Sequence, residues 1–168
     1  MEILIAGLIL VALMAWASTK IKKRAAEAFE AESIETETYS LSKPDGFLHV
    51  INSRDHDFEA YSKEFDERNF RLRRGKIEID VLKDTNLTAA CDTLRERSSA
   101  FEVTKDSDSV YRVESEEAAN ESGLRVFYKL VDTPRGIYRL RFAVLSKHVE
   151  DFLRKIDETL DSFRITNL

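Results

Sequence analysis

The chain has 168 residues and a formal net charge of −5, enough length for one membrane anchor and one domain with a sizeable core. The first 24 residues carry four basic side chains and one acidic one, so the remainder holds 22 basic and 30 acidic residues, a net charge of −8. Such an acidic domain argues against a nucleic-acid binder, because affinity for nucleic acid depends on neutralising phosphates. The single cysteine, Cys91, excludes an intramolecular disulfide and any two-cysteine metal or redox motif.

An apolar run at residues 3–17 predicts a transmembrane anchor. As a helix, residues 1–19 would span roughly 28 Å, near the thickness of a bilayer's hydrocarbon core, and Trp16 falls where an interfacial aromatic residue is expected. The basic residues all follow the run: Lys20, Lys22, Lys23 and Arg24. By the positive-inside rule this flank stays in the cytoplasm. We therefore expect a single-pass protein of a bacterial inner membrane with its soluble domain in the cytoplasm.

A secretory signal peptide is the alternative interpretation of the same run. Ala15-Trp16-Ala17 matches the A-x-A cleavage pattern, and cleavage there would give an exported or periplasmic domain. A signal peptide carries its positive charge before the apolar core, whereas only Glu2 precedes the core here. The order of the charges favours the uncleaved anchor.

Residues 20–36 predict a juxtamembrane spacer, helical for two or three turns because Ala, Glu and Lys dominate its first part. Its basic cluster has two interpretations. It could attract anionic lipids, or it could act only as the topological stop signal. Four charges are at the low end for a lipid-binding cluster, which favours the second interpretation.

Residues 37–168 predict one α+β domain. A turn at residues 43–46 precedes a strand at 47–51, and alternating apolar residues predict another strand at 77–81. Phe58, Tyr61 and Phe65 have the spacing of a short helix within residues 55–69.

The middle of this domain predicts a capped helix and two further strands. Residues 84–86 can cap a helix that runs through Arg97. The inner face of that helix contains four residues: Leu87, Ala90, Cys91 and Leu94. Strands are expected at residues 101–103 and 111–113, so the domain alternates antiparallel strands with short helices.

The last third of the chain predicts a hairpin followed by an amphipathic helix. Period-2 alternation indicates strands at residues 124–131 and 137–144, joined by a tight turn at Thr133-Pro134-Arg135-Gly136. Apolar residues then recur at helical spacing: Val149, Phe152, Leu153, Ile156, Leu160 and Phe163. A hairpin that returns a helix across its apolar face is a layered core. The expected fold is a twisted antiparallel sheet flanked by helices.

Three segments resemble the Mog1/PsbP-like α/β/α superfamily. Residues 39–47 (YSLSKPDGF) are similar to its opening strand and P-x-G-F/W motif, residues 136–142 (GIYRLRF) to a late strand, and residues 160–163 (LDSF) to its terminal S-F. The resemblance covers residues 37–165 and implies that superfamily's fold. Its better-known members are binding or assembly proteins, which implies a non-enzymatic role. No functional residue carries over, because the surfaces used by those members have no match here.

Few residues suggest catalytic or metal chemistry. A metal site would need His49 and His56 to converge with Asp55 or Asp57, and a solvated Asp-His-Asp at a helix start is the more economical interpretation. Cys91 lies on an apolar helix stripe, which favours a buried core residue over a nucleophile. We therefore expect no catalytic residue, metal or cofactor.

One surface of the terminal hairpin is a candidate docking face. Its members alternate with the presumed core residues: Arg125, Phe127, Lys129, Ile137, Arg139 and Arg141. Cations mixed with exposed apolar groups suit a ligand or a protein partner. In the competing interpretation a second helical layer covers Phe127 and Ile137, while Glu78 and Asp80 pair with the arginines across the sheet.

These features predict a membrane-anchored, non-enzymatic binding or scaffold domain, attached through residues 1–19, with a protein as its possible partner. The alternative is an enzymatic or small-ligand-binding domain with a cleft between the sheet and the helices. The sequence leaves the oligomeric state and the partner open.

Overall fold

The computed structural model describes residues 2–67, 70–118 and 123–166, with side chains from residue 13 onward except at 64–67 and 70–72. The helices are α1 (Glu2–Glu27), α2 (Leu87–Glu96) and α3 (Val149–Ser162), with a 3₁₀ turn at Ser146–His148. The strands are β1 (Glu32–Glu35), β2 (Tyr39–Lys43), β3 (Phe47–His49), β4 (Phe58–Ser62), β5 (Glu64–Glu67), β6 (Phe70–Arg73), β7 (Gly75–Leu82), β8 (Ser98–Ser107), β9 (Val110–Glu117), β10 (Leu124–Thr133), β11 (Gly136–Leu145) and β12 (Arg164–Ile165).

The main sheet has seven antiparallel strands in the order β3-β4-β7-β11-β10-β9-β8. A small sheet, β1-β2-β12, and a two-stranded hairpin, β5-β6, complete the strands. This architecture confirms the predicted α+β fold with an antiparallel sheet flanked by helices.

The two faces of the main sheet carry two separate cores. On the first face, α3 packs against β2, β10 and β11, and Phe152 lies edge-on to Phe47 and Phe142 with ring centroids 5.8 and 6.5 Å away. On the second face, α2 packs against β8 and β9. Its buried side chains are those predicted: Leu87, Ala90, Cys91 and Leu94. Asn86 caps this helix by accepting a hydrogen bond from the backbone N–H of Ala89 at 2.9 Å.

The terminal hairpin forms as predicted. β10 pairs with β11 from Leu124–Leu145 down to Thr133–Gly136. At the turn Gly136 has φ +124°, and a Cβ there would come within 2.6 Å of the Leu82 carbonyl oxygen. Glycine is therefore required by both the backbone conformation and the close approach of β7.

Three expectations about individual elements are corrected. The segment predicted as a helix at residues 55–69 forms strands, because Phe58 pairs with Ile79 on β7 and is buried in the first core. Leu153, predicted to face the core, is 40% exposed. The folded domain begins before residue 37, since β1 pairs with β2 and buries Ile34.

Helix α1 ends at Glu27, and the residues that follow it are hydrogen-bonded to the domain. The backbone N–H of Gly46 donates to the Phe29 carbonyl at 2.6 Å, and the buried Lys43 ammonium donates to the carbonyls of Glu30 and Phe47. Residues 13–28 are exposed along the helix.

The predicted anchor, residues 1–19, lies mostly where side chains fall outside the described part of the chain. Within the described residues, no helix has the length and apolar character needed to cross a membrane.

Candidate functional site

The six residues of the predicted docking face do not share a face. The register of β10 with β11 pairs Phe127 with Phe142 and Tyr128 with Arg141, so odd-numbered residues of β10 project to the same side as even-numbered residues of β11. Arg125, Phe127 and Lys129 therefore lie on the α3 side. Ile137, Arg139 and Arg141 lie on the α2 side. The prediction of one shared face is wrong, because a shift of one residue in register exchanges the two faces of a strand.

The three members on the α3 side have structural partners. Phe127 belongs to the first core, and Arg125 pairs with Glu114 on the neighbouring strand β9. Lys129 is buried, and its ammonium donates to the carbonyls of Leu160 and Phe163 at 2.7 and 3.0 Å. It thus satisfies carbonyls at the end of α3 that lack helical partners.

On the α2 side, charged residues from β4, β7, β11, β9 and the loop before β4 form a network that we call the polar half-face. It comprises eight residues: His56, Glu59, Lys76, Glu78, Asp80, Glu117, Arg139 and Arg141. Arg139 donates to Asp80 at 2.6 Å, and Arg141 bridges Glu78 and Glu117 at 2.7 and 2.9 Å. These bonds confirm the competing interpretation, in which Glu78 and Asp80 pair with the arginines across the sheet.

Lys76 joins two of the three glutamates of the polar half-face. Its ammonium lies 3.0 Å from Glu59 and also contacts Glu78. Burial opposes the ionisation of Glu59, but hydrogen bonds from Tyr61, Lys76 and Ser53 outweigh it and lower its pKa to about 2. The network therefore keeps the Glu59 carboxylate charged at neutral pH.

The same balance of burial and ion pairing acts on the pKa values of four other members of the polar half-face. Burial is the largest single influence on Glu78, yet the bonds from Lys76 and Arg141 lower its pKa, and those from Arg139 and His56 lower the pKa of Asp80. For Lys76 and Arg141 burial is likewise outweighed, and each pKa is raised by its charged neighbours.

His56 ties the loop before β4 to β7. Its Nδ1 lies 2.6 Å from Asp80 and its Nε2 lies 2.9 Å from Glu78. Both nitrogens can donate at once only when the imidazole is protonated. This placement corrects the expected solvated His56 at a helix start, because the segment is a loop and a strand that pack on the sheet.

A metal-ligating geometry exists here, and it shares only His56 with the set considered from sequence. Ligand atoms of His56, Glu59 and Glu78 lie within 4.8 Å of one another, whereas His49 faces Glu32 and the Phe58 ring. The Lys76 ammonium already contacts both glutamates, so a metal ion would have to displace it. The arrangement supplies its own cation.

Beside the polar half-face lies a surface groove that we call the edge groove. It is lined by Phe29, Leu48, Val50, Glu59, Tyr61 and Arg73 among others. The guanidinium of Arg73 stacks 3.5 Å above the Tyr61 ring. Leu48 is 40% exposed, and Ile51, at the tip of the same hairpin, is 79% exposed. The exposed Leu48 and the Arg73 cation thus lie in one groove at this edge of the sheet.

The space between the sheet and the helices is filled by side chains. Ile77, Ile79, Leu140 and Phe142 are fully buried on the α3 side, and Val126, Leu130 and Ile137 on the α2 side. Cys91 is buried in the second core, as predicted, and burial raises its pKa. The grooves that the described residues form are at the surface.

Comparison with solved structures shows which proteins share this architecture. The chain superimposes on Mog1p, a Ran-binding protein of Saccharomyces cerevisiae, with TM-score 0.53 and 13% identity over 82% of this chain and 96% of Mog1p. LpqN of Mycobacterium tuberculosis, described as involved in cell envelope biogenesis, gives TM-score 0.55 and 10% identity over 82% and 91% of the two chains.

CyanoP, the cyanobacterial PsbP of Synechocystis, gives TM-score 0.51 and 12% identity over 82% of this chain and 94% of its own. The chain has the Mog1/PsbP-like fold. The resemblance stated from three short segments is thereby confirmed at the level of fold. No family model matches the sequence, and no curated protein matches it either.

The Mog1/PsbP-like fold accounts for the sheet and helices that surround the site. It assigns no role to any residue of the site, because identities of 10–13% show only that the fold is shared. Sequence reasoning missed Lys76, Glu59 and Leu48. One signal was present: Lys76, Glu78 and Asp80 alternate along one strand, which places all three on one face.

Proposed function

We propose that this protein is a membrane-anchored, non-enzymatic docking domain that binds a protein partner through the edge groove. The observation that carries the proposal is the exposed Leu48 beside the Arg73–Tyr61 stack in the edge groove. Exposed apolar groups bordered by polar ones are typical of interaction surfaces. One neighbour in fold, Mog1p, is a Ran-binding protein, so the fold is compatible with a protein-binding role.

The neighbouring polar half-face favours docking over chemistry. Its carboxylates are paired with Lys76, Arg139 and Arg141, which makes them poor general bases, since their charge is stabilised and their pKa values are lowered. A surface whose charged side chains are paired with one another presents a defined shape to a partner. We infer that it forms the polar rim of the docking surface.

The anchor is proposed from residues 1–19 and their flank. The apolar run has the length of a bilayer core, and the basic residues follow it. We propose that the N-terminus lies outside and the domain in the cytoplasm of a bacterial inner membrane. An exported domain released by cleavage after Ala17 is the competing arrangement.

Photocrosslinking from two matched positions tests the docking proposal. A photoreactive amino acid replaces Leu48 in the full chain in its own membranes, and in a second variant it replaces Val103 on β8. Val103 is a suitable control because its exposure, 37%, is close to the 40% of Leu48, while it lies on the opposite edge of the sheet.

We expect a discrete protein adduct from position 48 and none from position 103. Val50→Asp should abolish the adduct, because it places a charge among the apolar residues that line the groove. No adduct from position 48, or the same adduct from both positions, would contradict the edge groove as the docking surface.

A further inference from the structure

Helix α1 sets the depth of each charged residue relative to the proposed anchor. It is continuous from Glu2 to Glu27, so the residues after position 19 advance about 1.5 Å each along one axis. Arg24 therefore lies roughly 7.5 Å beyond the anchor and Glu27 about 12 Å beyond it. The headgroup layer on each side of a bilayer is roughly 5–7.5 Å thick. The four cations fall within that layer, and the first acid of this flank falls outside it.

The side chains at this depth are exposed and carry few internal partners. Residues 13–28 are exposed throughout. The Lys20 ammonium lies 4.7 Å from the centre of the Trp16 ring, one helical turn earlier, and Lys23 lies 3.9 Å from Glu27 with both side chains in solvent. An exposed pair of this kind contributes little, so the cations are available to a surface.

The rest of the molecule has the opposite charge. Residues 25–168 carry a net charge of −8, which an anionic surface would repel. The bonds from Gly46 to Phe29 and from Lys43 to Glu30 hold the domain at the far end of α1. Charge is thus separated by depth: cations at the headgroups, acids beyond them.

We propose that Lys20, Lys22, Lys23 and Arg24 bind the headgroups of anionic phospholipids, so that the anchor gathers these lipids and holds the acidic domain away from the surface. This inference rests on the proposed anchor, since the depths are counted from its end. Each cation near an anionic surface strengthens the attraction of the segment to that surface about fivefold. The position of the four cations at the depth of the headgroups favours a lipid-binding role for this flank over a role as a topological stop signal alone.

Trp16 provides the measurement, because it is the only tryptophan and lies beside Lys20. The full chain is reconstituted into bilayers of mixed anionic and zwitterionic phospholipid, with bromine on one lipid class or on the other. Brominated lipid quenches Trp16 in proportion to its local concentration. We expect quenching by the brominated anionic lipid to exceed quenching by the zwitterionic one by about twofold or more at low salt, and the excess to fall at high salt.

The control variant replaces all four cations with glutamine and should show equal quenching by the two lipids. Equal quenching in the unmodified chain would overturn the inference and leave the anchor intact. An excess that persists in the variant would overturn the assignment to these four residues. A chain that fails to float with vesicles and is quenched by neither lipid would overturn the anchor, and the inference with it.

Discussion

A buried lysine and a half-buried lysine on opposite faces of the main sheet have pKa values displaced in opposite directions. Lys129, on the α3 side, meets backbone carbonyls at the end of a helix, and burial, with Arg164 and Arg112 nearby, lowers its pKa to about 8. Lys76, on the α2 side, meets two carboxylates, and these outweigh burial and raise its pKa. Carbonyl dipoles alone do not replace the solvation of a buried charge, whereas opposite charges do.

This contrast extends to the two faces of β7 and β11. Their α3 side consists of fully buried apolar residues such as Ile77 and Phe142, and it supplies stability through packing. Their α2 side combines the buried Ile137 and Ala143 with paired charges, and the effect of these charges depends on every partner being present. We therefore expect the α3 side to contribute most of the free energy of unfolding. We expect the α2 side to determine how that free energy changes with pH and with the loss of an ion-pair partner.

The largest effect is expected on the apolar face. Phe152→Ala removes a ring that lies between Phe47 and Phe142 and should lower the free energy of unfolding by about 3–5 kcal/mol. Leu153→Ala, at the adjacent exposed position, should lower it by about 0.5 kcal/mol or less. Urea unfolding of residues 28–168 measures both, and equal losses would contradict the packing of α3 on the sheet.

On the polar face the loss should be smaller and should depend on the partner. Arg141→Met leaves Glu78 and Glu117 without their bridging donor and should lower the free energy of unfolding by about 1.5–3 kcal/mol. In the double variant with Glu78→Gln the two losses should not add, because the second change removes a charge already left unpaired. Additive losses would show that the two residues act independently.

A smaller effect is expected from pH. The pKa of Glu59 is lowered from 4.5 to about 2 in the folded chain, so the unfolded chain binds protons first as pH falls. The stabilisation by Glu59 is thus complete above pH 4.5 and disappears as pH falls towards 2. Unfolding measured across this window should show a decline in stability that is shallower in Glu59→Gln. The same decline in both proteins would contradict the pairing of Glu59.

The smallest effect is expected from chelation. Because Lys76 already neutralises Glu59 and Glu78, the domain should melt at the same temperature with and without a chelator. A drop of several degrees would show that a bound metal stabilises the folded state by mass action. His56, Glu59 and Glu78 would then be its ligands.

Sequence patterns correctly predicted the elements in which the alternation of apolar and polar residues extends over many residues. The ten-residue strands β10 and β11 and helices α2 and α3 were found, as was the cap at Asn86. The short segment around Phe58 and Tyr61 fits both a helix and a strand, and pairing with β7 decided between them. Periodicity over so few residues cannot separate the two.

The candidate site was harder to predict, because its residues come together only through register. Both faces of β10 are buried, so alternation could not show which face of β11 each of its residues joins. The pairing of Tyr128 with Arg141 decides this. Lys76 and Glu59 lie on strands that are separated along the chain by the hairpin β5-β6, and nothing in their local sequence indicates that they meet.

The arrangement at the membrane is the claim on which the proposed function most depends, and reporter fusions after Leu168 test it directly. Translocating Lys20, Lys22, Lys23 and Arg24 would cost about 2.3 kcal/mol per charge per 100 mV of membrane potential, so we expect the domain to stay in the cytoplasm. A reporter that is active only after export should show no activity, while a reporter that fluoresces in the cytosol should give fluorescence at the cell membrane. An active export reporter, or a mature N-terminus at Ser18, would contradict the cytoplasmic anchor.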